Sequence, residues 1–164
     1  MAETFGNARG SQAWLKVSGS EEPLDPEAPC PCGGLPAGSS FAACCGPVIE
    51  GERRPETAEA LMRSRYTAYA LADGMHLFVT WHPRTRPESV DPEPWVRWVG
   101  LEVLDVVGGG ARDDTGVVEF RATWLAGEGR TRQRGQIRER SRFERRAGRW
   151  FYVGPEAGSA GSAG

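Results

Sequence analysis

Val117-Val118-Glu119-Phe120-Arg121-Ala122-Thr123-Trp124-Leu125 alternates in character: Val118, Phe120, Ala122 and Trp124 share one parity, Glu119, Arg121 and Thr123 the other. An extended chain sends successive side chains to opposite faces, so this stretch predicts a strand with one face in a core and one in water. Working outward, residues 101–107 predict a strand closed by Gly108, Gly109 and Gly110. Residues 131–145 predict a long strand, and residues 150–153 a last one after a turn at 146–149. Turns this short join antiparallel neighbours.

Upstream the period changes. Ala58, Leu61, Met62, Tyr66, Tyr69 and Ala72 recur at three- and four-residue steps, which predicts a helix over 56–73. Pro55 suits its first turn and Gly74 its stop. Residues 75–81 read as a second short helix, 83–94 as a proline-rich crossing and 95–98 as one more helical turn. Helices first and a meander afterwards predict an α+β domain, with helices packed on a curved antiparallel sheet.

All four cysteines of the 164-residue chain lie close together, as Cys30-Pro-Cys32-Gly-Gly and Cys44-Cys45-Gly-Pro. Thiolates converging from a Gly/Pro-rich loop suit a tetrahedral Zn²⁺, each sulfur about 2.3 Å from the ion. The glycines let the backbone curl beneath the metal and aim amides at the sulfurs. Two alternatives stay open: a redox thiol pair, and a disulfide within the cluster, which the adjacency of Cys44 and Cys45 would strain. A closed four-sulfur site has no position for a catalytic water, so the metal is expected to be structural.

A formal net charge of -2 excludes a global attraction to nucleic acid, and the short apolar runs exclude a membrane span. No signal-peptide pattern is present, so a cytoplasmic location is expected. Lys16 is the one lysine, and the heavy use of arginine, alanine and glycine reads as a coding bias. Residues 1–28 and the Gly/Ser/Ala-rich 156–164 are expected to be flexible flanks of a knuckle at 29–50 and a domain at 51–155.

Cys30-Pro-Cys32-Gly, Cys44-Cys45-Gly-Pro, Leu61-Met-Arg-Ser-Arg-Tyr66-Thr-Ala-Tyr69, Thr80-Trp-His-Pro83 and Gly148-Arg-Trp-Phe-Tyr-Val153 together resemble the YchJ-like bacterial proteins. The resemblance runs from Pro29 to about Gly154. It implies an N-terminal SEC-C metal motif, with Cys30, Cys32, Cys44 and Cys45 as ligands, and a cone of the nuclear-transport-factor-2-like or cystatin-like kind. The spacer from Gly33 to Ala43 is longer than the SEC-C pattern usually has, at little cost in loop closure. The family brings no settled activity. SEC-C motifs elsewhere, as at the tail of the SecA translocation motor, dock a chaperone or the ribosome. Docking of a protein or ribonucleoprotein partner is therefore the leading expectation.

Two further sites compete with it. A cone cavity would draw on Tyr66, Tyr69, Asp73, His76, Trp81, His82, Trp95, Trp98 and Trp124, with His82 as general base oriented by Asp73 or Tyr66. The structural alternative is a helix-end histidine with its aromatic neighbours in the core. Arg130, Arg132, Arg134, Arg138, Arg140 and Arg142 share even parity and would form a stripe able to grip RNA or another polyanion. The alternative there is a wet sheet face balanced by Arg–Glu pairs, and no aromatic residues interleave the arginines to stack bases. Arg65, beside the Tyr66/Tyr69 face, is expected to be buried in an ion pair with Glu139 or Asp73. Self-association through the open sheet face is a further expectation.

Overall fold

Thr57 accepts the Ala60 amide at 3.1 Å and so begins helix α2 (Ala58–Ala70), with Glu59 in the first turn facing the positive end of the helix. A short helix α1 (Cys45–Ile49) precedes it and α3 (Gly74–Val79) follows. The computed structural model describes residues 24–157; the expectations for 1–23 and 158–164 lie outside the described residues. Helix α2 stops before the expected Gly74. Ala72 takes the left-handed conformation at φ 56°, and the Ala72 and Asp73 amides turn back onto the carbonyls of Tyr69 and Ala68 at 3.2 and 2.8 Å. Asp73 then caps α3 by accepting the His76 amide at 3.0 Å, so Gly74 opens the next helix.

Strands β1 (Val96–Gly108), β2 (Thr115–Ala126), β3 (Gln133–Arg146) and β4 (Arg149–Pro155) form one antiparallel sheet in sequential order. The helical turn expected at 95–98 does not form. Val96, Arg97 and Trp98 pair instead with Ala126, Leu125 and Trp124 of β2, a partner that local patterning does not reveal. Register shifts between Trp98 and Gly100 and between Val103 and Asp105 insert extra residues into β1 and bend it. The segment between α3 and β1 covers the outer edge of β4: Tyr152 donates to the Thr80 carbonyl at 2.9 Å and His82 to the Tyr152 carbonyl at 2.7 Å.

The concave face of the sheet lays Val118, Phe143 and Trp150 against Ala58, Leu61 and Met62 of α2. Each large apolar side chain removed from water here contributes about 1.5–3 kcal/mol before conformational entropy is subtracted. Gly135 of β3 has no room for a side chain, since a Cβ would stand 2.4 Å from the Trp124 ring. At the other end, a 3₁₀ turn (Phe41–Ala43) and α1 carry the second cysteine pair. Phe41 and the four cysteines are buried in one cluster with Tyr66, Leu71 and Ala122. The knuckle thus shares the core of the α+β domain.

Candidate metal centre and cone cavity

Cys30, Cys32, Cys44 and Cys45 are all buried, and their sulfurs lie within 4.8 Å of one another. The Cys32–Cys44 separation is 3.6 Å and the Cys44–Cys45 separation 3.9 Å. A tetrahedron with arms of about 2.3 Å has edges of about 3.8 Å, so these separations fit four thiolates around one ion. A sulfur–sulfur bond needs about 2.05 Å, and all four thiols are free. The Gly34 amide donates to Cys32 Sγ at 3.3 Å. Gly34 sits at φ +87°, and a Cβ on it would meet the Ser39 amide nitrogen at 2.5 Å, so this turn under the sulfurs requires glycine. Hydrogen bonds from Cys32, Cys44 and Cys45 hold the Cys30 thiol far below the usual thiol range. The same sharing, with burial added, pushes Cys45 well above it. A divalent cation relieves that competition by taking all four sulfurs as thiolates.

Two arginines brace the cluster from outside. Arg63 on α2 donates to the Cys32 carbonyl at 2.8 Å while paired with Glu59 at 3.0 Å, and Arg53 donates to the Cys44 carbonyl at 2.7 Å. Four thiolates around a divalent ion carry a net charge of about -2, which nearby guanidinium groups offset. Between the knuckle and the head of α2 runs a cleft of about 400 Å³ with Leu35, Pro36 and Val48 on one wall, Pro55, Thr57 and Ala60 on the other, and Arg53, Arg54 and Arg63 outnumbering Glu56 among its charged residues.

The second hollow, of about 200 Å³, lies inside the cone between α2 and the sheet. Of the residues expected to line it, Tyr66, Tyr69 and Trp98 do. The others are placed elsewhere. Trp95 is 65% exposed just ahead of β1, and Trp124 covers Gly135. Trp81 packs edge-on against Tyr152 at 5.0 Å. Asp73 is occupied as the α3 cap. His82 is 1% exposed, lines neither hollow, and accepts the Arg84 amide on Nδ1 at 3.1 Å. Its Nε2 faces Glu144 at 3.4 Å without hydrogen-bond alignment. Burial first, then Arg84, lowers its pKa against the pull of Glu144. His82, Asp73 and Tyr66 are therefore not brought together as base and orienting partners; His82 pins the crossing segment to β4.

His76 is buried beneath α2. Ser64 donates its hydroxyl to the Leu61 carbonyl at 2.7 Å, so it accepts from His76 Nε2 at 2.9 Å. Burial, then the Arg65 charge, lowers the His76 pKa to about 4. A folded pKa below the ordinary 6.5 means the fold favours the neutral ring. Its contribution is whole above pH 6.5 and drains as pH falls toward 4, by about 3 kcal/mol in total. In urea melts the stability gap between the parent and His76→Gln should narrow steadily across that window; a gap independent of pH would refute the assignment.

Arg65 is 5% exposed, and among the described residues it has no ion pair with the expected Glu139 or Asp73. It donates to the Leu77 carbonyl at 2.8 Å and Thr80 Oγ1 at 2.7 Å, with its guanidinium 5.1 Å from the Trp81 ring and 4.4 Å from the Tyr152 ring. Carbonyl and ring faces take the place of a carboxylate. Glu139 instead accepts on Oε1 from Tyr152 and Ser141, both at 2.7 Å.

The arginine stripe is shorter than parity predicts, because Arg130 and Arg132 fall in the 3₁₀ turn (Gly129–Thr131) and its end. The register shift near Arg142 lies opposite, in β4, so Arg134, Arg138, Arg140 and Arg142 do keep one face. Arg138 pairs with Glu119 at 2.9 Å, and Arg140 with Asp105 and Glu156, each at 2.7 Å. Arg121 pairs with Glu102 at 2.6 Å. The outer face is thus a lattice of opposite charges, screened by water and salt.

A family model described as YchJ, middle NTF2-like domain, matches residues 57–155. A UPF0225 protein of Streptomyces coelicolor is 47% identical over 131 residues, covering 80% of this chain and 97% of the relative. The chain belongs to the YchJ-like family. A UPF0225 protein of Deinococcus radiodurans is 46% identical over 128 residues, 78% of this chain and 88% of that one. Among solved structures, a SEC-C motif containing protein from Rhodopseudomonas palustris aligns with a TM-score of 0.63 at 34% identity, covering 79% of this chain and 98% of that one. A SEC-C motif containing protein from Psychrobacter arcticus aligns with a TM-score of 0.60 at 26% identity, covering 82% and 84%.

In this YchJ-like chain the residues that sequence reasoning missed lie around the sites. Arg53 and Arg63 bracing the cysteine carbonyls carry no sequence signal, since any surface arginine reads the same. Glu139, expected only as a partner of Arg65, did carry a signal as a cavity residue: it is a carboxylate at the inward parity of β3, between Ile137 and Ser141. Among the described residues no helix is long and apolar enough to cross a membrane.

Proposed function

We propose that this YchJ-like protein is a zinc-bound docking module of a reducing, cytoplasmic compartment. The zinc shapes one wall of a cleft that holds an extended protein segment bearing an apolar side chain with acidic neighbours. Zinc is the reading because four thiolates in a closed tetrahedron suit a soft, redox-inert divalent ion. The observation that carries docking is the cleft itself: the loop held by the four sulfurs and the head of α2 each supply a wall. Leu35 stands 40% exposed at its mouth, and Arg54 is exposed at its rim. An apolar anchor between those walls and a carboxylate toward the arginines match its chemistry.

A photo-crosslinking residue at Leu35 tests this, with one at Val107, far along β1, as control. The expected result is a discrete protein adduct from position 35 alone, lost on chelation and weakened at least threefold by Arg54→Glu. The same adduct from position 107, or one unchanged by both treatments, would overturn the reading. A nuclease-sensitive adduct would replace the protein partner with a ribonucleoprotein.

A further inference from the structure

We infer that the cone encloses a binding site for a neutral, planar aromatic molecule carrying a ring N–H donor, recognised by Glu139. The hollow holds about 200 Å³, whereas an apolar cavity of roughly 150 Å³ already accepts benzene. Its walls are flat. Trp98 stands 6.3 Å from Tyr66 at 72° and 6.0 Å from Tyr69 at 58°, and Phe120 and Phe143 also face the space. Such ring edges and faces favour a planar guest by offset or edge-on stacking.

The polar groups define the guest's edge. Arg65 and Glu139 both line the hollow, and their opposite charges leave it without a net charge to attract an ion. Arg65 Nη1 is taken by the Leu77 carbonyl and Thr80 Oγ1, and its guanidinium lies against the Trp81 and Tyr152 rings, so it serves first as part of the wall. The hydroxyls of Tyr152 and Ser141 both donate to Glu139 Oε1. Among the described residues, Oε2 receives no hydrogen bond. A carboxylate oxygen bordering an apolar space calls for a donor, and a guest N–H supplies it. Burial raises the pKa of Tyr66, Tyr69 and Tyr152, so their phenols stay protonated and no second acidic acceptor arises.

Indole is the probe and benzofuran its control, nearly the same in shape but with an oxygen in place of the N–H donor. In amide-resolved NMR titrations of the whole chain, indole should bind saturably, shifting Trp98, Phe120 and Ile137, with benzofuran at least tenfold weaker. Glu139→Gln keeps an acceptor for Tyr152 and Ser141 but replaces Oε2 with an amide donor, so it should abolish that preference. Equal affinity of the two probes, shifts confined to other surfaces, or no saturation by indole up to its solubility limit would each overturn the inference. The comparison of the two probes on the parent decides the matter even where the variant fails to fold.

Discussion

Cys32→Ser protein should emerge from purification without a bound metal ion and with its stability lower by more than about 4 kcal/mol. Cys32 is fully buried, and its sulfur accepts the Gly34 amide. Its carbonyl is the acceptor that ties the knuckle to Arg63. A serine oxygen is a poor substitute for a thiolate toward a soft ion, so the loop loses what stands in for a core of its own. The damage should reach the cone, because the cysteines share one buried cluster with Phe41, Tyr66, Leu71 and Ala122. Metal analysis with thermal melts measures both effects. Cys45→His, which preserves four donors as a Cys₃His set, should retain most of the metal. A Cys32→Ser protein that melts within a few degrees of its parent would show that no metal supports this fold.

Arg65→Ala should cost about 2–4 kcal/mol, because it leaves two acceptors short of a donor and removes two cation–ring contacts. Burial brings the guanidinium down only to about 10, so it remains a cation at neutral pH. Its loss strips donors from the Leu77 carbonyl and Thr80 Oγ1 and leaves the Glu139 carboxylate without its nearby positive charge. Arg65→Lys should recover little. An ammonium lacks the flat face that lies 4.4 Å from the Tyr152 ring, and it cannot span the same acceptors. Denaturant melts of both variants provide the test, and a lysine variant as stable as the parent would contradict this account.

The architecture was legible wherever a local period reported burial. The alternation of Val118, Phe120, Ala122 and Trp124 placed β2, and the three-and-four spacing from Ala58 placed α2. The misreadings have different causes. Trp95 to Trp98 looked helical because their strand partners, Leu125 and Ala126 among them, lie far along the chain. The end of α2 moved because Ala72 took the left-handed position expected nearer Gly74. Candidate sites followed the same division: the cysteines are neighbours in sequence and in space, whereas His82, Asp73 and Tyr66 are near in sequence and separated by the fold.

By itself the sequence determined the family, the α+β order of elements and the four sulfurs, because each is written in spacing that survives without knowledge of distant contacts. The tertiary structure decided which side chains face a common space. It put Glu139, Tyr69 and Trp98 around one hollow and buried His82 away from it. It also set Arg63 against the cysteine loop and Arg138 and Arg140 against carboxylates of neighbouring strands or the segment after β4. Those outcomes depend on register, bulges and the crossing of helix over sheet, which arise only when segments remote in the chain compete for the same partners.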